Sequence, residues 1–179
     1  MTNIYKVQPT SRLKIREFAN RIRRLFAIEN DYDIPIVEVF EFLSSQGLFS
    51  FEILDVDEMG NKCGETFPSE RHINIREDVY DKACIGDPFS RTTLAHEFFH
   101  LFHHSEEVIS LCRTDSEVEK LKAYEDPEWQ ANCFAGELLV PKELVKDMNV
   151  EEVVEKCRVS VTMANYQMNQ YKKEDKYAV

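Results

Sequence analysis

The chain has 179 residues, of which 43% are hydrophobic, and its formal net charge is −11. This length and apolar content suit one domain, which we expect to comprise N-terminal helices (1–48), a central core carrying the site (49–141) and a C-terminal helical extension (142–179). The negative charge argues against general nucleic-acid binding, and no apolar run approaches membrane-spanning length. The first apolar residues are interrupted by basic ones, unlike a signal peptide.

The first predicted helix covers residues 11–27. Residues 1–27 have a net charge of +6, whereas the rest of the chain has a net charge of −17. Apolar residues recur along it at helical spacing, so one face should be buried. We interpret the basic face as a solvated surface, or as an intramolecular cover over the acidic part of the chain, in preference to a DNA-reading element. Its basic residues are Arg12, Lys14, Arg16, Arg21, Arg23 and Arg24.

A helix, a group of strands and then further helices are predicted after this first helix. A second helix is predicted after residues 33–35, ending near Gly47. Strands are predicted at 49–56, 62–67 and 71–75, with a turn at 57–60. Helices dominate from Asp87 onward, the last two near 150–156 and 160–172. Strands gathered in one segment with helices around them predict an α+β fold, with a small sheet of about three strands.

The segment His96-Glu97-Phe98-Phe99-His100 has the spacing of a zinc site on a helix. Two histidines four residues apart lie on the same helical face, so both imidazoles can reach one metal ion. Glu97 is then placed to act as the general base. A core helix with solvated histidines is the alternative, but it does not explain why imidazoles and a carboxylate concentrate opposite the apolar face.

Another helix that can contribute to this site is predicted to begin at residue 127, with Asp126 as its cap and Pro127 in its first position. Catalytic zinc usually has three protein ligands, and Glu128 is the predicted third one. Asn132 lies one turn further, where it can orient a ligating histidine by a hydrogen bond. Taken alone, Glu128 is better explained as an acid that favours the helix N-terminus, but together with the segment His96–His100 it is better explained as a metal ligand.

Residues 93–101, 128–135 and 138–141 together resemble the ImmA/IrrE family of bacterial metallopeptidases. The resemblance extends over about residues 73–141 and implies a zincin-like core, in which the motif histidines and Glu128 hold zinc. Phe99 departs from the glycine that is common in the family, and we expect it to alter helix packing. By the same analogy, residues 73–76 suit the sheet edge that pairs with substrate backbone.

The resemblance also implies cleavage of an intracellular DNA-binding repressor, often within phages or integrative elements. We therefore expect a zinc-dependent endopeptidase, with one Zn²⁺ per chain, that acts on a helix-turn-helix repressor. Expected partners include neither nucleic acid nor membrane. The alternatives are a zincin-scaffold protein that sequesters a regulator or toxin without cleaving it, and a hydrolase of small amides.

A further hydrogen-bond donor for the reaction is expected but not assigned. Its candidates are His72, Tyr80, His103, His104 and Tyr124. Five cysteines lack a paired CxxC spacing, so we expect free, mostly buried thiols and a cytoplasmic location. They are Cys63, Cys84, Cys112, Cys133 and Cys157.

Overall fold

The computed structural model describes residues 4–104, 109–111 and 122–177. Its helices, in chain order, are α1 (Arg12–Leu25), α2 (Ile36–Ser45), α3 (Val56–Met59), α4 (Glu77–Cys84), α5 (Pro88–His103), α6 (Pro127–Leu139), α7 (Lys142–Val145), α8 (Val150–Cys157) and α9 (Val161–Tyr177). None of the helices in these ranges is both long and apolar enough to cross a membrane.

The main sheet has three strands, β2 (Ser50–Leu54), β3 (Gly64–Phe67) and β4 (His72–Arg76), in the order β2-β4-β3. Strand β2 runs parallel to β4, and β3 runs antiparallel to it. A separate two-stranded sheet pairs β1 (Ile4–Lys6) with β5 (Ile109–Leu111). Helices surround the three-stranded main sheet, so the predicted α+β class is confirmed.

The predicted edge position of residues 73–76 is wrong. They belong to β4, which is the central strand and is paired with β2 on one side and with β3 on the other. The outer strand on the side of α5 is β3, so the available sheet edge belongs to residues 64–67. Alternating side chains predict a strand but carry no information about its neighbours, which explains the error.

Two short helices have no counterpart among the predicted elements. Helix α3 occupies most of the predicted turn at 57–60, and Gly60 ends it with a φ of +55°. Helix α4 follows β4 and buries Val79 and Ala83. Because α4 has just two buried apolar positions, its hydrophobic period is too short to be recognised in the sequence.

Helix α5 lies at the centre of the core, where it packs against α2, α4, α6 and the sheet. Its apolar face is buried, including Leu94, Phe98 and Phe99. The Phe99 ring contacts Phe18 of α1 and Phe134 of α6, with centroids 6.2 and 5.0 Å apart. Aromatic packing thus joins three helices behind the face that carries the histidines.

The basic helix α1 covers an acidic group of the core, as one of the two proposed interpretations expects. Arg12 Nε and Arg16 Nε lie 2.6 and 2.7 Å from the carboxylate of Glu137, which is fully buried in α6. Arg16 also contacts Glu174 of α9. Arg23 is buried too and donates to the Leu138 carbonyl at 2.9 Å. Lys14, Arg21 and Arg24 remain exposed.

The cysteines divide by position. Cys133 and Cys157 are buried, and burial raises the pKa of each thiol, to about 12 and about 11 respectively. Cys63 is half-buried and Cys84 is exposed; all four are free. Cys112 lies outside the described residues.

Candidate metal centre

Helix α5 presents the two histidines of the HExxH segment. The Asp87 side chain caps the helix by accepting from the Ser90 N–H at 2.9 Å, and Pro88 occupies the first turn. These signals fix where the helix begins. One turn apart, His96 and His100 point their Nε2 atoms to the same place, 2.9 Å from each other.

Helix α6 brings Glu128 to the same point. The Asp126 side chain accepts from the Glu128 N–H at 2.9 Å, so Glu128 lies in the first turn, as the sequence predicts. Its carboxylate oxygens lie 3.2 Å from His96 Nε2 and 3.4 Å from His100 Nε2. Contact with the His100 and His96 imidazoles holds the pKa of the Glu128 carboxyl well below its usual range.

The three groups fit a zinc ion by distance and by chemistry. One donor atom from each lies within 4.8 Å of the others. Two ligand atoms of a tetrahedral zinc site with bonds of roughly 2.0–2.1 Å are about 3.3 Å apart, close to the observed separations. Two imidazole nitrogens and a carboxylate oxygen are also a donor set that zinc accepts.

Glu97 lies between α5 and the outer strand β3. It is 8% exposed, and the Thr66 hydroxyl donates to its Oε2 at 2.6 Å. Gly64 lies against the same side chain: a Cβ at residue 64 would come within 2.6 Å of Glu97 Cγ. Two residues of β3 therefore determine the position of the Glu97 carboxylate.

Asn132 contacts the back of His96, at the position predicted for it. Its Oδ1 lies 3.1 Å from His96 Nδ1, on the opposite side of the ring from the convergence point. Burial opposes protonation of His96, but Glu128, Glu97 and Asn132 outweigh burial and raise the pKa of the ring.

His104 and Gln130 lie behind the other histidine. His104 Nδ1 is 2.9 Å from His100 Nδ1, and His104 Nε2 is 3.1 Å from Gln130 Oε1. Burial lowers the pKa of His104 to about 4. Both residues are buried. Gln130 is not among the residues predicted from the sequence, because at 100° per residue it projects to a different side of the helix from Glu128. His104 is predicted only as a candidate hydrogen-bond donor for the reaction.

The remaining candidates for a hydrogen-bond donor lie elsewhere. The Tyr80 hydroxyl donates to Glu41, and its ring stacks on Phe51. His72 contacts Ser50 and Asn74 on the sheet. Tyr124 and His103 are exposed. Of the five candidates, His104 lines the cleft at the metal centre.

An open cleft of about 370 Å³ gives access to these groups. Strand β3 and Pro68 form one wall, and the start of α6 with Val7 forms another. His96, Glu97, His100 and Glu128 line it. A polypeptide can therefore approach the three donor atoms and Glu97 together.

A helix with an HExxH segment, a carboxylate from a second helix and an open cleft beside a sheet edge define a metallopeptidase-type site. Residues 87–169 match the model of the family described as Peptidase_M78, the IrrE N-terminal-like domain. The match extends from the cap of α5 into α9 and confirms the resemblance to the ImmA/IrrE family, so this segment is similar to a metallopeptidase-family domain. A search of curated proteins found no match to the chain.

Proposed function

We propose that this chain is a zinc-dependent endopeptidase that binds one Zn²⁺ through His96, His100 and Glu128. The convergence of three metal-binding groups beside a buried carboxylate, in an open cleft, supports this proposal most directly. The whole chain acts as one domain in this view, with 1–48 and 142–179 packed around the core that holds the site.

Glu97 is the general base and then the general acid of the reaction. When bound, zinc supplies Lewis acidity, which acidifies water and polarises the scissile carbonyl. Glu97 takes the proton of the attacking water and delivers it to the leaving amine. The Thr66 hydroxyl holds Oε2 of Glu97, which leaves Oε1 available for that transfer.

Strand β3 binds the substrate backbone. The Arg76 N–H donates to the Cys63 carbonyl, so in this antiparallel pair residues 65 and 67 also direct their backbone groups toward β4. The alternation of such pairs turns the backbone groups of Gly64 and Thr66 outward, toward the cleft. A substrate strand that pairs with them passes directly beside Glu97.

The substrate is a helix-turn-helix transcriptional repressor, and the enzyme acts on it in the cytoplasm as an anti-repressor of a phage or mobile element. This part of the proposal rests on the family resemblance. The arginines of α1 that contact Glu137 serve an internal role, which agrees with a protein substrate rather than nucleic acid.

The test is to incubate the purified chain with the repressor encoded beside its gene, with and without a chelator. We expect cleavage that the chelator abolishes and that Glu97→Gln abolishes while zinc content stays at one per chain. Glutamine keeps the shape of Glu97 but cannot take the proton.

A stable complex without cleavage would instead favour a scaffold that sequesters its partner, and would reject the endopeptidase. Undiminished cleavage by Glu97→Gln would remove Glu97 from the mechanism.

A further inference from the structure

We propose that His104 and Gln130 are positioning residues of the metal centre, which fix the tautomer of His100 through a relay of hydrogen bonds. The relay runs from Gln130 through His104 to His100, and two backbone carbonyls hold Gln130 in place. This inference rests on the proposed zinc site and adds to it two residues that bind no metal themselves.

The relay begins at Gln130, which is fully buried. Its Nε2 donates to the Gln8 carbonyl at 2.9 Å and to the Tyr124 carbonyl at 2.8 Å. Carbonyls only accept, so these two contacts assign the amide nitrogen unambiguously. The remaining atom, Oε1, is an acceptor, and it faces His104 Nε2 at 3.1 Å.

The direction of the next two bonds follows from the first. Because Gln130 Oε1 can only accept, His104 Nε2 carries a proton, and Nδ1 of the neutral ring is an acceptor. His104 Nδ1 lies 2.9 Å from His100 Nδ1, which must therefore donate. His100 Nε2 then keeps its lone pair, on the side of Glu128. This is the tautomer that a metal ion requires.

The two histidines of the motif are held differently. His96 Nδ1 is held by Asn132, which is an exposed residue. His100 is held by buried groups that end on backbone carbonyls, which cannot rotate away. We therefore expect the relay to matter more for metal affinity than Asn132 does.

Packing alone is the competing explanation, because the His104 ring is buried edge-on against Phe99, with centroids 5.3 Å apart. His104→Phe keeps a ring in that place and removes both hydrogen bonds. His104→Gln loses the ring that packs against Phe99, but its side-chain amide restores a hydrogen-bond donor and an acceptor. The pair separates hydrogen bonding from packing.

The experiment measures the zinc dissociation constant of each protein by competition with a chromophoric chelator. We expect His104→Phe to weaken zinc binding about 10–100-fold, the usual effect of losing a group that orients a ligand. His104→Gln should recover most of that loss, and Gln130→Met should weaken binding in the same direction. His103→Phe, next in the chain and stacked on the same Phe99 ring, is the matched control and should leave the affinity unchanged.

Circular dichroism of the metal-free proteins shows which variants are folded. Unchanged zinc affinity in folded His104→Phe or Gln130→Met overturns the proposal, as does a His104→Gln affinity no better than that of His104→Phe. If the unmodified chain itself binds no zinc, the proposed function fails instead, so the two failures are distinguishable.

Discussion

Glu97 illustrates how single residues outside the motif set the geometry of the site. Its carboxylate accepts from Thr66 and lies against the bare Cα of Gly64, both on β3. Neither residue ligates metal in the proposed site. Each can therefore be changed to test the base without altering the ligand set.

Gly64→Ala should lower kcat/KM about 100-fold, because its Cβ displaces the Glu97 side chain and misplacement of a catalytic group by an ångström can have an effect of that size. Thr66→Val should lower it in the same direction, whereas Thr66→Ser keeps the hydroxyl and most of the activity. Steady-state kinetics and zinc analysis of the three variants check this. Loss of zinc in step with activity would contradict a role that acts through Glu97.

The sequence could predict His96, Glu97 and His100 because they share one helix, whose period alone places both imidazoles on one face. Glu128 and Asn132 were accessible because Asp126 and Pro127 mark where α6 begins. Thr66 and Gly64 were not, since they lie about 30 residues before Glu97 and meet it only through the packing of β3 on α5. His104 follows His100 by four residues, but its partner Gln130 depends on how α6 is rotated.

Among the elements, α1 is joined to α6 and α9 through charges. Glu137 is fully buried and accepts from Arg16 at 2.7 and 3.1 Å, and Tyr171 donates to it at 3.1 Å. Burial lowers the pKa of Arg16, but the hydrogen bonds to Glu137 and Glu174 outweigh burial and raise this pKa. A buried carboxylate with two arginines is expected to be costly to disrupt.

Glu137→Gln should lower the free energy of unfolding by about 3 kcal/mol, because it removes the buried charge that two partly buried arginines share and leaves them only the more exposed Glu174. Zinc stoichiometry should not change, as Glu137 lies outside the cleft. Asp175→Asn is the control: Asp175 pairs with Lys142 at 2.7 Å but is exposed, so its loss should amount to less than about 1 kcal/mol. Denaturant unfolding of the metal-free proteins measures both. Equal losses of unfolding free energy would show that the buried ion pairs of Glu137 stabilise the fold no more than an exposed pair does.

Strand order is an element-scale feature that the sequence could not supply. The three strands of the main sheet were located to within a few residues, yet β4 proved to be central and β3 outer. The pairing of β2 with β4 depends on contacts between residues 50–54 and 72–76, which no local pattern records. The consequence is functional, because the edge that meets the cleft is the one next to Glu97.

For the whole molecule, the terminal helices pack on the core: α1 contacts α6, and α9 contacts α6, α7 and α8. We therefore expect one cooperative unfolding transition, as for a single domain. Trp129, the single tryptophan, lies in α6 beside Glu128 and reports on the site. Its fluorescence and the far-ultraviolet circular dichroism should give the same midpoint. Separate midpoints would show that the terminal segments unfold independently.

Anomalous X-ray diffraction at the zinc edge, from crystals of the zinc-loaded chain, tests the proposed metal centre most directly. We expect one peak per chain, about 2.0–2.1 Å from His96 Nε2, His100 Nε2 and an oxygen of Glu128. A peak held by other residues, or none between these three side chains, would contradict the metal centre and the endopeptidase built on it.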